Sequence, residues 1–379
     1  MKRKLSIFLT ALMTVALVIS VLVIPASAAT TYTAIGGETT FTKYLVVDAD
    51  ANIPDLTFTY TIAPGTAVAP SATNLEILAG ASGATVGSAT FSNADSSGAV
   101  AGLPTDDPAG STTDKKYVAK TVTITFPNTS FTKPGVYRYK LSEVAGTAPG
   151  VTYDATDRYI DVFVVADSND VLTINSCNMR TTADNILLTN QYASNPGVKS
   201  DGYTNSVTQH DLTFTKAIAG NQGDKNKRFE FTLNISGANP GTYVVTSTDV
   251  TGNPTTITVG AGGTATATYS LTNGSSLTVK GLNAGATYTI SETPDDYTPS
   301  YAVDTDGDGA TDDASGTTAS YSGSAMSADN TVAFTNTRNG IIPTGIIIAV
   351  APYVIGFCLF GAVVIFMLGR KKRQSAEEN

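Results

Sequence analysis

The chain repeats itself once, and the repeat lies in side-chain alternation more than in identity. Phe41-Thr42-Lys43 recurs as Phe214-Thr215-Lys216, and Val136-Tyr137-Arg138-Tyr139-Lys140-Leu141-Ser142-Glu143 is echoed by Ala286-Thr287-Tyr288-Thr289-Ile290-Ser291-Glu292. Leu187-Leu188-Thr189-Asn190 closes the first copy and Ala333-Phe334-Thr335-Asn336 the second. The intervening sequence is rich in Thr, Val, Tyr and Gly and lacks Trp. Its alternating apolar residues are broken by Gly, Pro, Asn and Asp, which is the pattern of half-buried strands joined by turns. No long amphipathic helix interrupts it. The expected architecture is therefore all-β: two tandem immunoglobulin-like sandwiches, the first over residues 29–195 and the second over 211–340. Residues 196–210 between them read as a linker, because Ser194-Asn195-Pro196-Gly197 and Ser200-Asp201-Gly202 are turn chemistry.

Both ends carry addresses instead of fold. Lys2-Arg3-Lys4, the apolar stretch Leu5 to Ile24 and Ala26-Ser27-Ala28 have the three regions of a secretory signal peptide, residues 1–28. At the other end an uncharged run from Ile346 to Leu368 spans 23 residues, roughly 34 Å as a helix and enough to cross a bilayer. Arg370-Lys371-Lys372-Arg373 would hold the tail, residues 369–379, in the cytoplasm. Ile342-Pro343-Thr344-Gly345 precedes the run and resembles the sorting signal of Gram-positive surface proteins, which a membrane sortase cleaves between Thr and Gly. It lacks the residue that usually separates Pro from Thr and is closer to the shortened form of some pilins. The chain is thus expected outside the cell, covalently attached to cell wall or pilus, with a membrane-anchored precursor.

Without these ends, 16 Lys and Arg face 30 Asp and Glu, a net charge of −14. Such a surface disfavours nucleic acid and anionic lipid as partners. Cys358 lies in the apolar run, leaving Cys177 alone in the secreted part, so no intramolecular disulfide is available. Cys177 reads as a small strand residue. The single histidine, His210, and the lack of a phosphate loop or a Cys-His pair argue against a substrate-processing enzyme.

Strand parity gives the sharpest functional reading, because alternate residues share a face. Lys43 follows Phe41 and precedes Leu45 and Val47 on one face, and Lys216 lies with Leu212, Phe214 and Ile218. Glu143 follows Tyr137, Tyr139 and Leu141, and Glu292 follows Tyr288 and Ile290. Asn190 joins Ile186 and Leu188, while Asn336 joins Val332 and Phe334. Each copy thus turns one Lys, one Glu and one Asn inward. Buried charges must meet or change their chemistry. Apolar burial favours a neutral amine and a neutral acid, and a neutral amine is a nucleophile. It can attack the Asn side-chain carbonyl, with the acid polarising that oxygen and moving protons, to release ammonia and leave an amide. The alternative is a Lys-Glu ion pair hydrogen-bonded to Asn; the repetition of order and parity favours the crosslink.

A further constellation, Asp304-Thr305-Asp306-Gly307-Asp308-Gly309-Ala310-Thr311-Asp312-Asp313, places Asp304, Asp306, Asp308 and Asp312 at positions 1, 3, 5 and 9 of a calcium-type loop, with Gly309 at 6 and Ser315 at 12 in place of a bidentate Glu. No other cofactor is expected.

Thr40-Phe41-Thr42-Lys43, Lys133-Pro134-Gly135-Val136-Tyr137 leading to Glu143, Pro149-Gly150-Val151-Thr152-Tyr153-Asp154, Thr189-Asn190 and Phe334-Thr335-Asn336 together resemble the two-domain major pilin of the streptococcal pilin isopeptide-linkage family. The resemblance implies a structural surface protein with Lys43 bonded to Asn190, Glu143 assisting, and Lys216 bonded to Asn336, Glu292 assisting. It also implies sortase as a partner, joining the C-terminal Thr of one subunit to a lysine of a neighbouring pilin subunit. The family carries that lysine just before the last strand of the first domain. Thr181-Thr182-Ala183-Asp184-Asn185 contains none, and Lys199 is the nearest substitute. A monomeric adhesin or stalk of the same fold, anchored to peptidoglycan, shares every feature except the acceptor lysine. The host ligand is not written in the sequence.

Overall fold

The computed structural model describes residues 37–99, 114–127, 130–166, 170–186, 199–249 and 252–340, together with Tyr353, Phe357, Leu359 and Phe360. The signal peptide, the sorting motif, Asn190 and all but these four positions of the apolar run lie outside the described residues. Among the described residues no helix is long and apolar enough to cross a membrane.

Strands are the dominant regular structure of the described residues, which divide into two units at Thr208/Gln209, with Asp50–Asn52 grouped with the second. In the first unit one sheet runs in the order Val151–Thr152, Gly202–Val207, Glu38–Asp48, Lys115–Thr125, Thr85–Val86. The facing sheet runs Leu172–Arg180, Arg158–Ala166, Gly135–Glu143, Tyr60–Pro64. Between them Phe41, Leu45, Val122, Tyr139, Leu141 and Val162 form a core at most 3 % exposed. The second unit has a seven-stranded sheet in which Gln209–Ala219 lies between Ser276–Asn283 and Asn330–Thr337. Its partner sheet runs Thr264–Leu271, Phe229–Ser236, Thr287–Glu292, Ser320–Gly323, and the core includes Phe214, Phe231, Leu233, Ile290 and Phe334.

The joint differs from the linker expected over 196–210. Gly202–Val207 is a strand of the first unit, and Gln209 and His210 already belong to the first strand of the second. Tyr203, Asn205 and Val207 point inward and are at most 3 % exposed, while Thr204 and Ser206 are half-buried. The strand pairs in parallel with Glu38–Asp48, so the first and last strands of the unit are neighbours. Only glycine fits at the start of this pairing, since a Cβ on Gly202 would lie 1.6 Å from the Thr42 carbonyl oxygen.

Candidate functional site

The lysine strand and the last strand run in parallel within one sheet of each unit, and the glutamate strand belongs to the facing sheet. In the first unit Lys43 is paired with Tyr203, and Asn205 is two residues further on. In the second Lys216 is paired with Phe334, and Asn336 is again two residues further on. Residues two apart share a face of a strand, so each asparagine lies diagonally beside its lysine on the core face. Glutamate arrives from across the sandwich.

The asparagine that the structure sets beside Lys43 and Glu143 is Asn205; the expected Asn190 lies outside the described residues. Lys43 Nζ lies 2.5 Å from Glu143 Oε2, and Glu143 Oε1 accepts a hydrogen bond from Asn205 Nδ2. The Lys43 and Glu143 side chains are fully buried. Tyr203 reaches from the asparagine strand to donate its hydroxyl to the Leu141 carbonyl, 2.7 Å away and two residues before Glu143, which ties the two sheets together at the site. In the second unit Lys216 Nζ and Asn336 Nδ2 both approach Glu292 Oε1 at 2.6 Å. Lys216 and Glu292 side chains are again fully buried, and Asn336 is 0 % exposed.

Aromatic rings keep water away from both amines. Lys43 Nζ is 4.6 Å from the Phe58 ring centre and 5.9 Å from Tyr203; Lys216 Nζ is 4.5 Å from Phe229 and 5.9 Å from Phe231. Desolvation lowers each lysine to about 8, against the opposing pull of its glutamate. It also raises Glu143 and Glu292, against the pull of the lysines. Both shifts move the pair toward neutral amine and neutral acid. This is the state in which the amine is a nucleophile and the acid still has a proton to give.

The geometry changes one part of the expected chemistry. Glu143 faces the amide nitrogen of Asn205, the leaving group, and not its oxygen. The oxygen instead accepts the backbone N–H of Asp154 at 2.8 Å. A backbone N–H can only donate, so this contact fixes which way the amide points.

Residues 39–193 match a family model described as a Spy0128-like isopeptide containing domain, and residues 210–338 match one described as a domain of unknown function. A pilin of Streptococcus pyogenes is 29% identical over 349 residues, covering 88% of this chain and 90% of that protein. This chain thus carries a Spy0128-like isopeptide containing domain over residues 39–193 and is similar along most of its length to a streptococcal pilin. Its fold is that of two solved Streptococcus pyogenes major pilins. One is 24% identical with a TM-score of 0.51, covering 80% of this chain and 99% of the pilin; the other is 20% identical with a TM-score of 0.55, covering 80% and 98%. A pilus tip adhesin of Streptococcus pyogenes is 34% identical over 141 residues, which is 36% of this chain but 18% of the adhesin.

The remaining predicted site residues are placed as follows. Lys199 is exposed, forms a lone antiparallel bridge with Arg180, and directly precedes the last strand of the first unit. Thr181–Asn185, which contains no lysine, supplies the Ala183 and Asp184 carbonyls to Arg138, which is 1 % exposed and paired with Asp161. In the acidic loop, carboxylate oxygens of Asp304, Asp306 and Asp313 come within 4.8 Å of one another. Asp313 thus replaces the expected Asp312, and Asp308 turns to accept the Ala310 N–H. Asp304 accepts the N–H groups of Gly307 and Gly309, and Asp313 those of Thr305 and Asp306.

Proposed function

We propose that this chain is an extracellular pilus subunit that closes one isopeptide bond in each unit, Lys43 to Asn205 with Glu143 assisting and Lys216 to Asn336 with Glu292 assisting. The observation that carries the reading is the duplicated register: in two divergent units an inward asparagine lies two residues beyond the partner of an inward lysine, with a buried glutamate against both. Neutral Nζ attacks Cγ of the asparagine. The Cγ–Nδ2 bond then breaks, and the glutamate carries a proton from Nζ to Nδ2, so one ammonia leaves per bond formed. The act is single-turnover and directed at the protein itself, so the chain is not an enzyme in the ordinary sense.

In the shaft role, sortase would cleave Thr344 from Gly345 and pass the threonyl carbonyl to Lys199 of the next subunit. The reading is supported by Lys199 lying just before Gly202–Val207, the last strand of the first unit, since the resemblance implies an acceptor lysine just before that strand. The test is an immunoblot of enzymatically released wall extract boiled in denaturant. A ladder of high-mass species that collapses in Lys199→Arg supports the shaft role. A single band shifted only by peptidoglycan fragments overturns it in favour of the anchored adhesin or stalk, a role suited to the partial match with a tip adhesin.

A further inference from the structure

The motif Pro149-Gly150-Val151-Thr152-Tyr153-Asp154 recurs in no counterpart near Asn336, and its geometry gives it a task in the first unit alone. Gly150 turns the chain with φ 72°, which glycine adopts without strain. Val151 and Thr152 then pair with Val207 and Ser206 of the asparagine strand. Continuing that register brings the Asp154 N–H to Asn205 Oδ1 at 2.8 Å. Tyr153 packs its ring against Phe58, the same ring that covers Lys43 Nζ.

Arg158 holds this arrangement. It is 8 % exposed, donates Nη2–H to Asp154 Oδ2 at 2.7 Å and Nη1–H to the Thr156 carbonyl at 3.0 Å. Its Nε–H is shared between Ser200 Oγ at 2.9 Å and the Gly202 carbonyl at 3.0 Å, and its guanidinium lies over the Tyr203 ring at 4.6 Å. One side chain therefore grips both the Asp154 loop and the start of the asparagine strand. In the second unit Asn336 Oδ1 has no hydrogen-bond partner among the described residues.

We infer that the Asp154 backbone N–H is an oxyanion donor for the Lys43–Asn205 crosslink, and that Arg158 is the positioning residue that aims it. The inference rests on the proposed crosslinking chemistry. When Nζ attacks Cγ, the carbonyl electron pair moves onto Oδ1, and a donor already aimed at that atom stabilises the developing charge without reorganisation. Glu143 faces Nδ2 and is left free to move the proton. The division of labour is one donor for the oxygen and one shuttle for the nitrogens.

The test is cell-free synthesis of the full chain, chased, quenched in acid, and scored unit by unit from the masses of the Lys43–Asn205 and Lys216–Asn336 crosslinked peptides. Replacing Asp154 by its α-hydroxy acid analogue removes the N–H as a donor and keeps the side chain. The expected result is a roughly 100-fold slower crosslink in the first unit with the second unit unchanged. Arg158→Ala is expected to slow the first unit selectively, and Arg158→Lys to restore part of the rate. An unchanged rate in the ester variant overturns the oxyanion role, and equal slowing of both units by Arg158→Ala overturns the positioning role. If neither crosslinked peptide appears in the parent chain, it is the crosslinking reading itself that fails.

Discussion

Asn205→Ala is the substitution that most directly separates the geometry from the sequence string it displaced. It leaves the Lys43–Glu143 pair in place and removes only the electrophile. The intact chain should then be lighter than its sequence mass by one ammonia instead of two. By the chain-entropy estimate used for disulfides, a bond closing the loop from residue 43 to 205 is worth about 5 kcal/mol. For a unit of this size that corresponds to about 10–20 °C in unfolding midpoint. The orphaned Asp154 N–H adds about 1–3 kcal/mol. Calorimetry at fixed scan rate should show one transition falling by at least this amount and the other holding. Asn190→Ala should change neither mass nor midpoint. The reverse pattern, with Asn190→Ala losing the ammonia and Asn205→Ala silent, refutes the assignment.

Three further outcomes are expected. Gly202→Ala should abolish the Lys43–Asn205 peptide in a tryptic map while sparing Lys216–Asn336, because the added Cβ meets the Thr42 carbonyl where the lysine and asparagine strands pair. The neutral amine and protonated acid hold one proton between them, so the crosslinking rate in the first unit should fall in acid, where the amine stays ammonium. It should fall again above about 8, where the pair loses that proton; a rate still climbing tenfold per pH unit near about pH 10 means Glu143 gives no proton. A calcium role for Asp304, Asp306 and Asp313 requires a chelator to lower the midpoint of the second unit and Asp304→Asn to erase the difference; equal midpoints with and without chelator end it.

Parity made Lys43, Glu143, Lys216, Glu292 and Asn336 legible, because a strand with one buried face cannot hide which residues share it. Asn205 was obscured by its surroundings. Ser200-Asp201-Gly202 reads as a turn, and the pairing that makes Gly202–Val207 a strand comes from Glu38–Asp48, far away in sequence. Leu187-Leu188-Thr189-Asn190 has the stronger local apolar run and won on that ground. The discriminating signal was the aromatic residue: Tyr203-Thr204-Asn205 matches Phe334-Thr335-Asn336, and Leu188-Thr189-Asn190 does not. The aromatic position is the residue paired with the lysine in both units. Arg158 carried no signal at all, since a strand arginine next to Asp157 reads as solvated until tertiary structure brings Gly202 and Tyr203 to it.

The two proposed crosslinks would do different mechanical work if Lys199 is the acceptor. Tension entering at Lys199 passes through Ser200 and Asp201 directly into the strand Gly202–Val207, then on through Thr208 to the second unit. Most of the first unit lies off that path. Pulling there loads the last strand end to end, while its parallel pairing with Glu38–Asp48 holds the rest of the unit to it. The proposed bond at Asn205 would tie the loaded strand to the core within six residues of Lys199. In the second unit tension would enter near Gln209 and leave after Thr337, so the proposed Lys216–Asn336 bond would short-circuit the loop between them and carry the load itself. Force spectroscopy tethered at Lys199 and the C-terminus should therefore show extension by the second unit only when Asn336 is replaced by Ala. Asn205→Ala should add only an early, low-force release of the first. If Asn205→Ala instead frees the whole length of the first unit at high force, load applied at Lys199 does not run through the strand Gly202–Val207 alone, and the proposed load path fails.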